Sequence, residues 1–154
     1  MRILLIEDIY LQGEWLETQL ASAFRCEIRW VKTASEFQSQ LDDIGAWSPD
    51  LALVDVMLKW SEPRPDMAPP PPTWSRTTAG IECQRLLGSH PGTGRTQVIL
   101  YTILSRKDLS GKLPQLPAGV SHLVKDADLE PLFQRIREVT GEPRRFGQGS
   151  PPPA

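Results

Sequence analysis

The sequence predicts an α/β fold, a doubly wound parallel β-sheet with helices on both faces. Short apolar runs at residues 3–6, 51–54 and 98–101 are typical of strands that are buried on both sides. The segments between these runs carry apolar residues at helical spacing. A strand followed by a helix, repeated five times along 154 residues, predicts one (βα)5 domain.

The first half of the chain shows the clearest helical and strand patterns. A first helix is predicted because apolar residues recur at helical spacing at Leu11, Trp15, Leu16, Leu20, Ala23 and Phe24. Residues 26–31 then mix polar and apolar positions, which is typical of an edge strand. Thr33 and Glu36 fit a capping box that opens a second helix.

The remaining helices differ in the strength of their signals. A third helix is predicted over residues 78–87, because the segment that follows contains Gly88 and Pro91. A fourth should be short or irregular, since residues 105–116 contain Gly111 and Pro114 and show little periodicity. The last helix is predicted after an N-cap at Asp128.

Two proline-rich segments interrupt the pattern, and together they hold ten of the fifteen prolines. Residues 59–77 form a long insert between the third strand and the third helix, with four consecutive prolines flanked by Trp60 and Trp74. Exposed tryptophans are unfavourable, so we expect them to anchor the insert on the domain or on a partner. Residues 141–154 are predicted to be a disordered tail or linker.

Charged and hydroxyl side chains follow four of the predicted strands at the point where each strand ends. They are Glu7 and Asp8, Asp55, Thr102 and Lys125. In an open parallel sheet ligands bind beyond the carboxyl ends of the strands, so we expect these side chains to meet at one edge. Three carboxylates, a hydroxyl and an ammonium group suit a hard cation and a phosphoryl group.

The composition argues against several classes of protein. A net charge of -2 and a pI near 5.7 leave no basic surface of the kind that nucleic acids bind. The two cysteines lack metal-ligand spacing and fit a reducing compartment. We expect no signal peptide, since the first residues lack a basic start and a small-residue cleavage site, and no apolar run reaches ~18 residues. We expect a soluble, cytoplasmic protein without direct nucleic-acid or membrane binding.

Four segments together resemble the receiver domain of two-component response regulators. They are residues 3–8, 49–55, 98–102 and 122–125, which stand in the family's order at compatible spacing. The resemblance covers roughly residues 1–140, apart from the 59–77 insert. It implies the flavodoxin-like (βα)5 fold with strand order 2-1-3-4-5, and the mixed pattern of residues 26–31 supports an edge position for the second strand.

The resemblance also implies a role for each strand-end residue. Asp55 would accept a phosphoryl group from a histidine kinase or a phosphotransfer protein. Mg²⁺ would be held directly by Asp8 and Asp55, by Glu7 through a water molecule and by the backbone carbonyl of Met57. Lys125 would neutralise the acyl phosphate.

Two residues would form the switch that reports phosphorylation. By the same resemblance, Thr102 would hydrogen-bond a phosphoryl oxygen. His122 lies three residues before Lys125, where the family often has an aromatic side chain that moves inward with that hydroxyl. A histidine could do so with a pH-sensitive charge, and an exposed loop histidine without a role is an equally good interpretation.

Four positions depart from the family's pattern. Asp126 follows Lys125 where a proline is usual, so the cis-proline loop that orients the lysine is not expected. Ile103 stands where a small residue is usual and should narrow the access of phosphodonors and water. Met57 and Leu104 offer no group that could position an attacking water.

The sequence favours a stand-alone receiver, a regulatory phosphoacceptor rather than an enzyme, which signals through a surface such as the 59–77 insert and is compatible with a homodimer. The alternative is a pseudo-receiver, an adaptor that binds partners without being phosphorylated. A third hypothesis is an aspartate-nucleophile phosphatase. That chemistry usually needs a second acid two residues after the nucleophile, where this chain has Met57.

Overall fold

The computed structural model describes residues 1–113 and 115–145, and this part of the chain contains five strands and five helices in strict alternation. The elements are β1 (Arg2–Ile6), α1 (Tyr10–Ala23), β2 (Glu27–Val31), α2 (Ala34–Trp47), β3 (Leu51–Val54), α3 (Ala79–Ser89), β4 (Gln97–Thr102), α4 (Arg106–Leu109), β5 (Val120–Val124) and α5 (Glu130–Thr140).

The strands form a single parallel sheet in the order β2-β1-β3-β4-β5, which confirms the predicted fold and strand order. The strand β2 lies at the edge, as its mixed sequence predicted. β1 pairs with β2 on one side and with β3 on the other, so the order in which strands are added to the sheet reverses at β1. A crevice therefore opens between the carboxyl ends of β1 and β3.

Alternate side chains of the central strands enter two apolar layers on opposite faces of the sheet. In β1, Leu4 and Ile6 pack with α2, α3 and α4, whereas Ile3 and Leu5 pack with α1 and α5. All four residues of β3 are buried. This burial on both faces explains why the central strands are continuous apolar runs rather than alternating patterns.

The prediction for the first helix was wrong at two of its six apolar positions. Leu11 and Trp15 were expected to face the sheet, but they are 75% and 42% exposed. The other four predicted residues are buried, and so is Gly13, over which the indole of Trp30 on β2 packs directly. A β-carbon at Gly13 would lie 2.0 Å from Trp30 Cζ2, so the α1 residue that faces this tryptophan must be a glycine.

The predicted N-cap of α2 is confirmed, whereas that of α5 is shifted by one residue. Thr33 Oγ1 accepts from Glu36 N at 3.2 Å as predicted, but the Glu36 carboxylate accepts from Lys32 N rather than completing the box at Thr33. The N-cap of α5 is Leu129 rather than Asp128. The Asp128 carboxylate still accepts from Glu130 N at 3.0 Å, so it satisfies a free amide of the first turn.

The predicted third and fourth helices are present with adjusted bounds. The helix α3 begins one residue later and ends two residues later than the predicted 78–87. The helix α4 has only four residues, which confirms that it is short. It depends on a capping box in which Ser105 Oγ accepts from Asp108 N and the Asp108 carboxylate accepts from Ser105 N.

The 59–77 insert has no helix or strand and is attached at both ends. The rings of Trp60 and Trp74 meet edge to face with centroids 6.5 Å apart, and both pack against the core layer of α2 and α3. Ser35 N at the start of α2 donates to Trp60 O. Residues 62–73 are exposed between the two tryptophans.

The C-terminal residues that the structure describes end against α1. Gly141 takes a left-handed conformation with φ 72° and ends α5, and Arg145 N donates to Ala23 O at 2.6 Å. The rest of the predicted tail, 146–154, lies outside the described residues, as does Pro114. Among the described helices, none is long and apolar enough to cross a membrane.

Candidate functional site

Three carboxylates meet in the crevice between β1 and β3. Ile6 pairs with Val54 in the sheet, so the residues that follow, Glu7 and Asp55, emerge side by side. Oxygen atoms of Glu7, Asp8 and Asp55 all lie within 4.8 Å of one another, and the three side chains are buried. The structure therefore brings together the acids that the sequence predicted to meet.

Lys125 reaches this cluster from the end of β5. Its Nζ donates to Glu7 Oε2 at 2.6 Å and to Asp55 Oδ2 at 2.7 Å, and it also donates to Gln12 Oε1 at 2.7 Å. The lysine is positioned without a proline at 126, and no cis peptide occurs among the described residues. The backbone bond from Lys125 N to Thr102 O, 2.8 Å long, extends the β4–β5 pairing and holds it instead.

Asp8 and Asp55 also contact residues that follow β3. Asp8 Oδ2 accepts from Lys59 N at 2.9 Å and lies 3.9 Å from a guanidinium nitrogen of Arg76. Asp55 Oδ1 accepts from Met57 N at 3.1 Å, which folds the residues after β3 back over the acid. Both ends of the 59–77 insert thus touch Asp8.

The predicted switch residues lie on the next two strands of the sheet, Thr102 at the end of β4 and His122 in the middle of β5. Thr102 is fully buried, and its Oγ1 accepts from Leu104 N at 3.4 Å. His122 Nε2 lies 2.8 Å from Leu104 O, so the histidine is hydrogen-bonded to the β4–α4 loop. Ile103 is 65% exposed and lines a cavity of about 340 Å³ beside Lys125, together with Trp15 and Tyr101.

Burial and charge perturb the titration of this cluster. Burial, reinforced by the neighbouring Asp55, raises the pKa of Glu7 to about 7, although Lys125 opposes the shift. Burial alone would lower the pKa of Lys125, but the two carboxylates together outweigh it and raise that pKa. Lys125 is therefore charged at neutral pH, and the proton that the cluster retains most readily is on Glu7.

The donor set fits a hard divalent cation. Three buried carboxylates face one largely buried ammonium group and one half-exposed guanidinium, so part of their negative charge is left uncompensated. Carboxylate oxygens are the protein ligands that Mg²⁺ prefers. Glu7, Asp8 and Asp55 are the residues that would hold it.

Sequence reasoning missed several residues of this site. Gln12 carries no motif signal, because an amide on the first turn of α1 becomes a ligand of Lys125 only through the fold. Arg76 lies within the insert, where no pattern connects it to Asp8. Gly80 N donates to Val56 O at 2.8 Å, and a β-carbon there would lie 2.0 Å from Asp55 O. Only the lack of a side chain marks Gly80 in the sequence.

The titration of Glu7 predicts how stability depends on pH in the metal-free protein. Glu7 has a pKa of about 7 when folded and 4.5 as its ordinary value. The folded state therefore binds the proton more tightly, and the free energy of unfolding should fall as pH rises from about 4.5 to about 7, by about 3 kcal/mol. Urea denaturation in the presence of a chelator, at intervals from pH 5 to pH 8, measures this decrease.

Glu7→Gln is the control for that measurement, because the amide keeps the shape of the side chain and cannot ionise. The slope between pH 5 and pH 7.5 should be much smaller in Glu7→Gln than in the wild type. Equal slopes in the two proteins would show that Glu7 ionises normally. Mg²⁺ should also reduce the wild-type decrease, since a cation favours the ionised cluster.

Comparison with known proteins gives structural but not sequence matches. No protein-family model matches this sequence, and no curated protein is similar to it. The fold resembles the receiver domain of a histidine kinase from Syntrophus aciditrophicus, with a TM-score of 0.65 and 23% identity over 91% of this chain and 89% of that chain.

Two response regulators are similar in structure as well. The phosphorylated cyanobacterial phytochrome response regulator RcpA has a TM-score of 0.60 and 22% identity, covering 90% of this chain and 89% of that chain. TrrA from Thermotoga maritima, solved in complex with Mg²⁺-BeF, has a TM-score of 0.61 and 19% identity, covering 90% of this chain and 97% of that chain. The chain thus has the flavodoxin-like fold of receiver domains.

Proposed function

We propose that this chain is a receiver that accepts a phosphoryl group on Asp55 and acts as a phosphorylation-dependent signalling switch. The observation that carries the proposal is the position of Lys125, whose Nζ bridges Asp55 and Glu7 at 2.7 Å and 2.6 Å inside a buried acidic cluster. A buried lysine between carboxylates of different strands is the arrangement that an acyl phosphate needs for charge neutralisation.

The proposed reaction transfers a phosphoryl group from a phosphohistidine of a kinase or a phosphotransfer protein. A carboxylate oxygen of Asp55 forms a bond to phosphorus while the bond from phosphorus to the imidazole nitrogen breaks. Lys125 donates to a phosphoryl oxygen and so opposes the charge that gathers there. Mg²⁺, held by Glu7, Asp8, Asp55 and the Met57 carbonyl, would neutralise the remaining charge.

Residues beside Asp55 would transmit the effect of phosphorylation to the rest of the domain. Thr102 would turn its hydroxyl toward a phosphoryl oxygen and give up its 3.4 Å contact with Leu104 N. Because His122 bonds Leu104 O, the same loop carries the movement to β5. The downstream partner would be a protein that contacts the exposed residues 62–73, and a homodimer is compatible with this proposal.

Phosphorylation is tested by mass spectrometry of the intact protein after incubation with acetyl phosphate and Mg²⁺. We expect a single added phosphoryl group in the wild type and none in Asp55→Asn, because the amide cannot act as the nucleophile. Asp66→Asn, an exposed position in the insert, is the control and should be labelled like the wild type. Labelling of Asp55→Asn at the wild-type level would contradict the assignment.

The pseudo-receiver is the second proposed function because of Ile103. The Ile103 side chain lines the cavity beside Lys125, where it would narrow the access of phosphodonors. An adaptor would retain the fold and bind its partner equally well as wild type and as Asp55→Asn. A wild-type protein that binds Mg²⁺ but is not labelled by acetyl phosphate or by a phosphorylated kinase would favour it.

A further inference from the structure

The 59–77 insert is attached to the acidic cluster at both ends, and the two attachments differ in strength. At its start, Lys59 N donates to Asp8 Oδ2 at 2.9 Å, while Lys59 O accepts from Ala34 N at the start of α2. At its end, a guanidinium nitrogen of Arg76 lies 3.9 Å from the same Asp8 oxygen. The first contact is a backbone hydrogen bond fixed by a helix, whereas the second is a longer ion pair made by a flexible side chain.

Arg76 is also the more exposed of the two cationic side chains at the cluster. Its side chain is 57% exposed, whereas that of Lys125 is 12% exposed and has three acceptors. A guanidinium that leaves Asp8 regains water at once, so its departure is easy. Lys125 would have to leave the protein interior, so it stays.

A divalent cation at the cluster and the guanidinium of Arg76 cannot both keep their favoured positions. A bound cation coordinates carboxylate oxygens at about 2.0–2.1 Å and brings two positive charges close to Asp8. Arg76 is then repelled by a like charge and loses its share of the Asp8 oxygen. Cation binding would therefore weaken the ion pair between Arg76 and Asp8 directly.

The residues next to Arg76 are also held by a backbone hydrogen bond and by tryptophan packing. Arg76 O accepts from Leu58 N at 3.2 Å, and Trp74 packs against Trp60. Within the described part of the chain, Trp74 Nε1 is a buried nitrogen without a hydrogen-bond partner, which makes its packing less favourable. A loss of attraction at Arg76 would remove one of the contacts that hold residues 74–78 to the domain.

We propose that Arg76 is a built-in counter-ion of the acidic cluster, that a divalent cation displaces its guanidinium from Asp8, and that residues 74–78 then loosen from Trp60. This inference rests on the cation site of the proposed function and not on phosphorylation. It makes the end of the insert a reporter of whether Glu7, Asp8 and Asp55 hold a cation.

The first test measures cation affinity by titrating Mg²⁺ into the full chain by calorimetry, with Mn²⁺ and electron paramagnetic resonance as a second measure. Arg76→Gln should bind Mg²⁺ about fivefold more tightly than the wild type at low ionic strength, and the difference should shrink in 0.5 M salt. Arg76→Lys keeps the charge and should stay closer to the wild type. Arg64→Gln removes the same charge from an exposed position of the insert and should change the affinity far less.

The second test follows hydrogen exchange of the peptide that contains residues 74–78. Mg²⁺ should speed this exchange in the wild type. In Arg76→Gln the exchange should already be fast without Mg²⁺, and adding the cation should change it little. Arg64→Gln should respond like the wild type.

Three results would contradict the inference. It is overturned if Arg76→Gln binds Mg²⁺ no more tightly than Arg64→Gln, if Mg²⁺ slows exchange at 74–78, or if no variant binds Mg²⁺ at tens of millimolar. The last result also removes the cation from the proposed function. If the affinity change is seen but Asp55 is never labelled, the counter-ion role stands and the phosphorylation proposal fails.

Discussion

Lys125→Met is expected to lower the free energy of unfolding by about 3 kcal/mol at pH 8 in the absence of divalent cations. The methionine keeps the length of the side chain but removes the charge that lies 2.6 Å from Glu7 and 2.7 Å from Asp55. Two buried carboxylates would then repel each other without a buried counter-ion. Urea denaturation of the variant and the wild type measures the difference.

The loss should depend on pH and on Mg²⁺ in a way that a simple packing defect would not. At pH 5 the raised pKa of Glu7 leaves this acid largely protonated, so the variant should lose less stability than at pH 8. Mg²⁺ should restore part of the loss at pH 8, because a cation replaces the missing charge.

Lys112→Met is the matched control for Lys125→Met, since Lys112 is exposed and should change stability by less than about 0.5 kcal/mol. Labelling of Asp55 by acetyl phosphate should fall on the order of 10²-fold in Lys125→Met, the usual effect of removing one donor from a developing charge. A Lys125→Met protein as stable as the wild type at every pH would show that the buried ion cluster does not form.

Gly80→Ala is expected to lower the free energy of unfolding by about 3 kcal/mol, a large effect for one added methyl group. The new carbon would lie 2.0 Å from Asp55 O and 2.6 Å from Val56 Cα. Both are backbone atoms, so neither can move aside by changing rotamer. Either α3 shifts away from the sheet or the chain after β3 shifts, and the Asp55 carboxylate moves with it.

Gly88→Ala is the matched control for Gly80→Ala, because it makes the same substitution in the same helix. Gly88 is exposed, and a β-carbon there meets only Gln84 Nε2 at 4.0 Å. It should raise stability by about 0.5 kcal/mol, as alanine does in an open helical position. Thermal and urea denaturation of the two variants should therefore give changes of opposite sign.

The two glycine variants should also differ in function. Labelling of Asp55 should fall by roughly tenfold or more in Gly80→Ala, because a displaced carboxylate loses its alignment with the phosphodonor. Gly88→Ala should be labelled like the wild type. If both variants have wild-type stability and labelling, the close contact between α3 and Asp55 O is not present in the protein.

The sequence by itself determined the strand-helix alternation and the set of acids at the strand ends. Strands buried on both faces must be apolar throughout, so they are visible as runs such as residues 51–54. Parallel strands place their carboxyl ends at one edge, so Glu7 and Asp55 could be expected to meet before any distance was measured. Local signals such as Thr33 before α2 also depend on nearby residues alone.

Only the tertiary structure decided which face α1 buries, how Lys125 is held and what the 59–77 insert touches. Leu11 and Trp15 fit a buried stripe by spacing, but Trp30 on a neighbouring strand packs over Gly13 and leaves both exposed. The contact between Arg76 and Asp8 joins residues far apart in the chain. Such contacts depend on where a loop returns to the domain, and neither periodicity nor residue type carries that information.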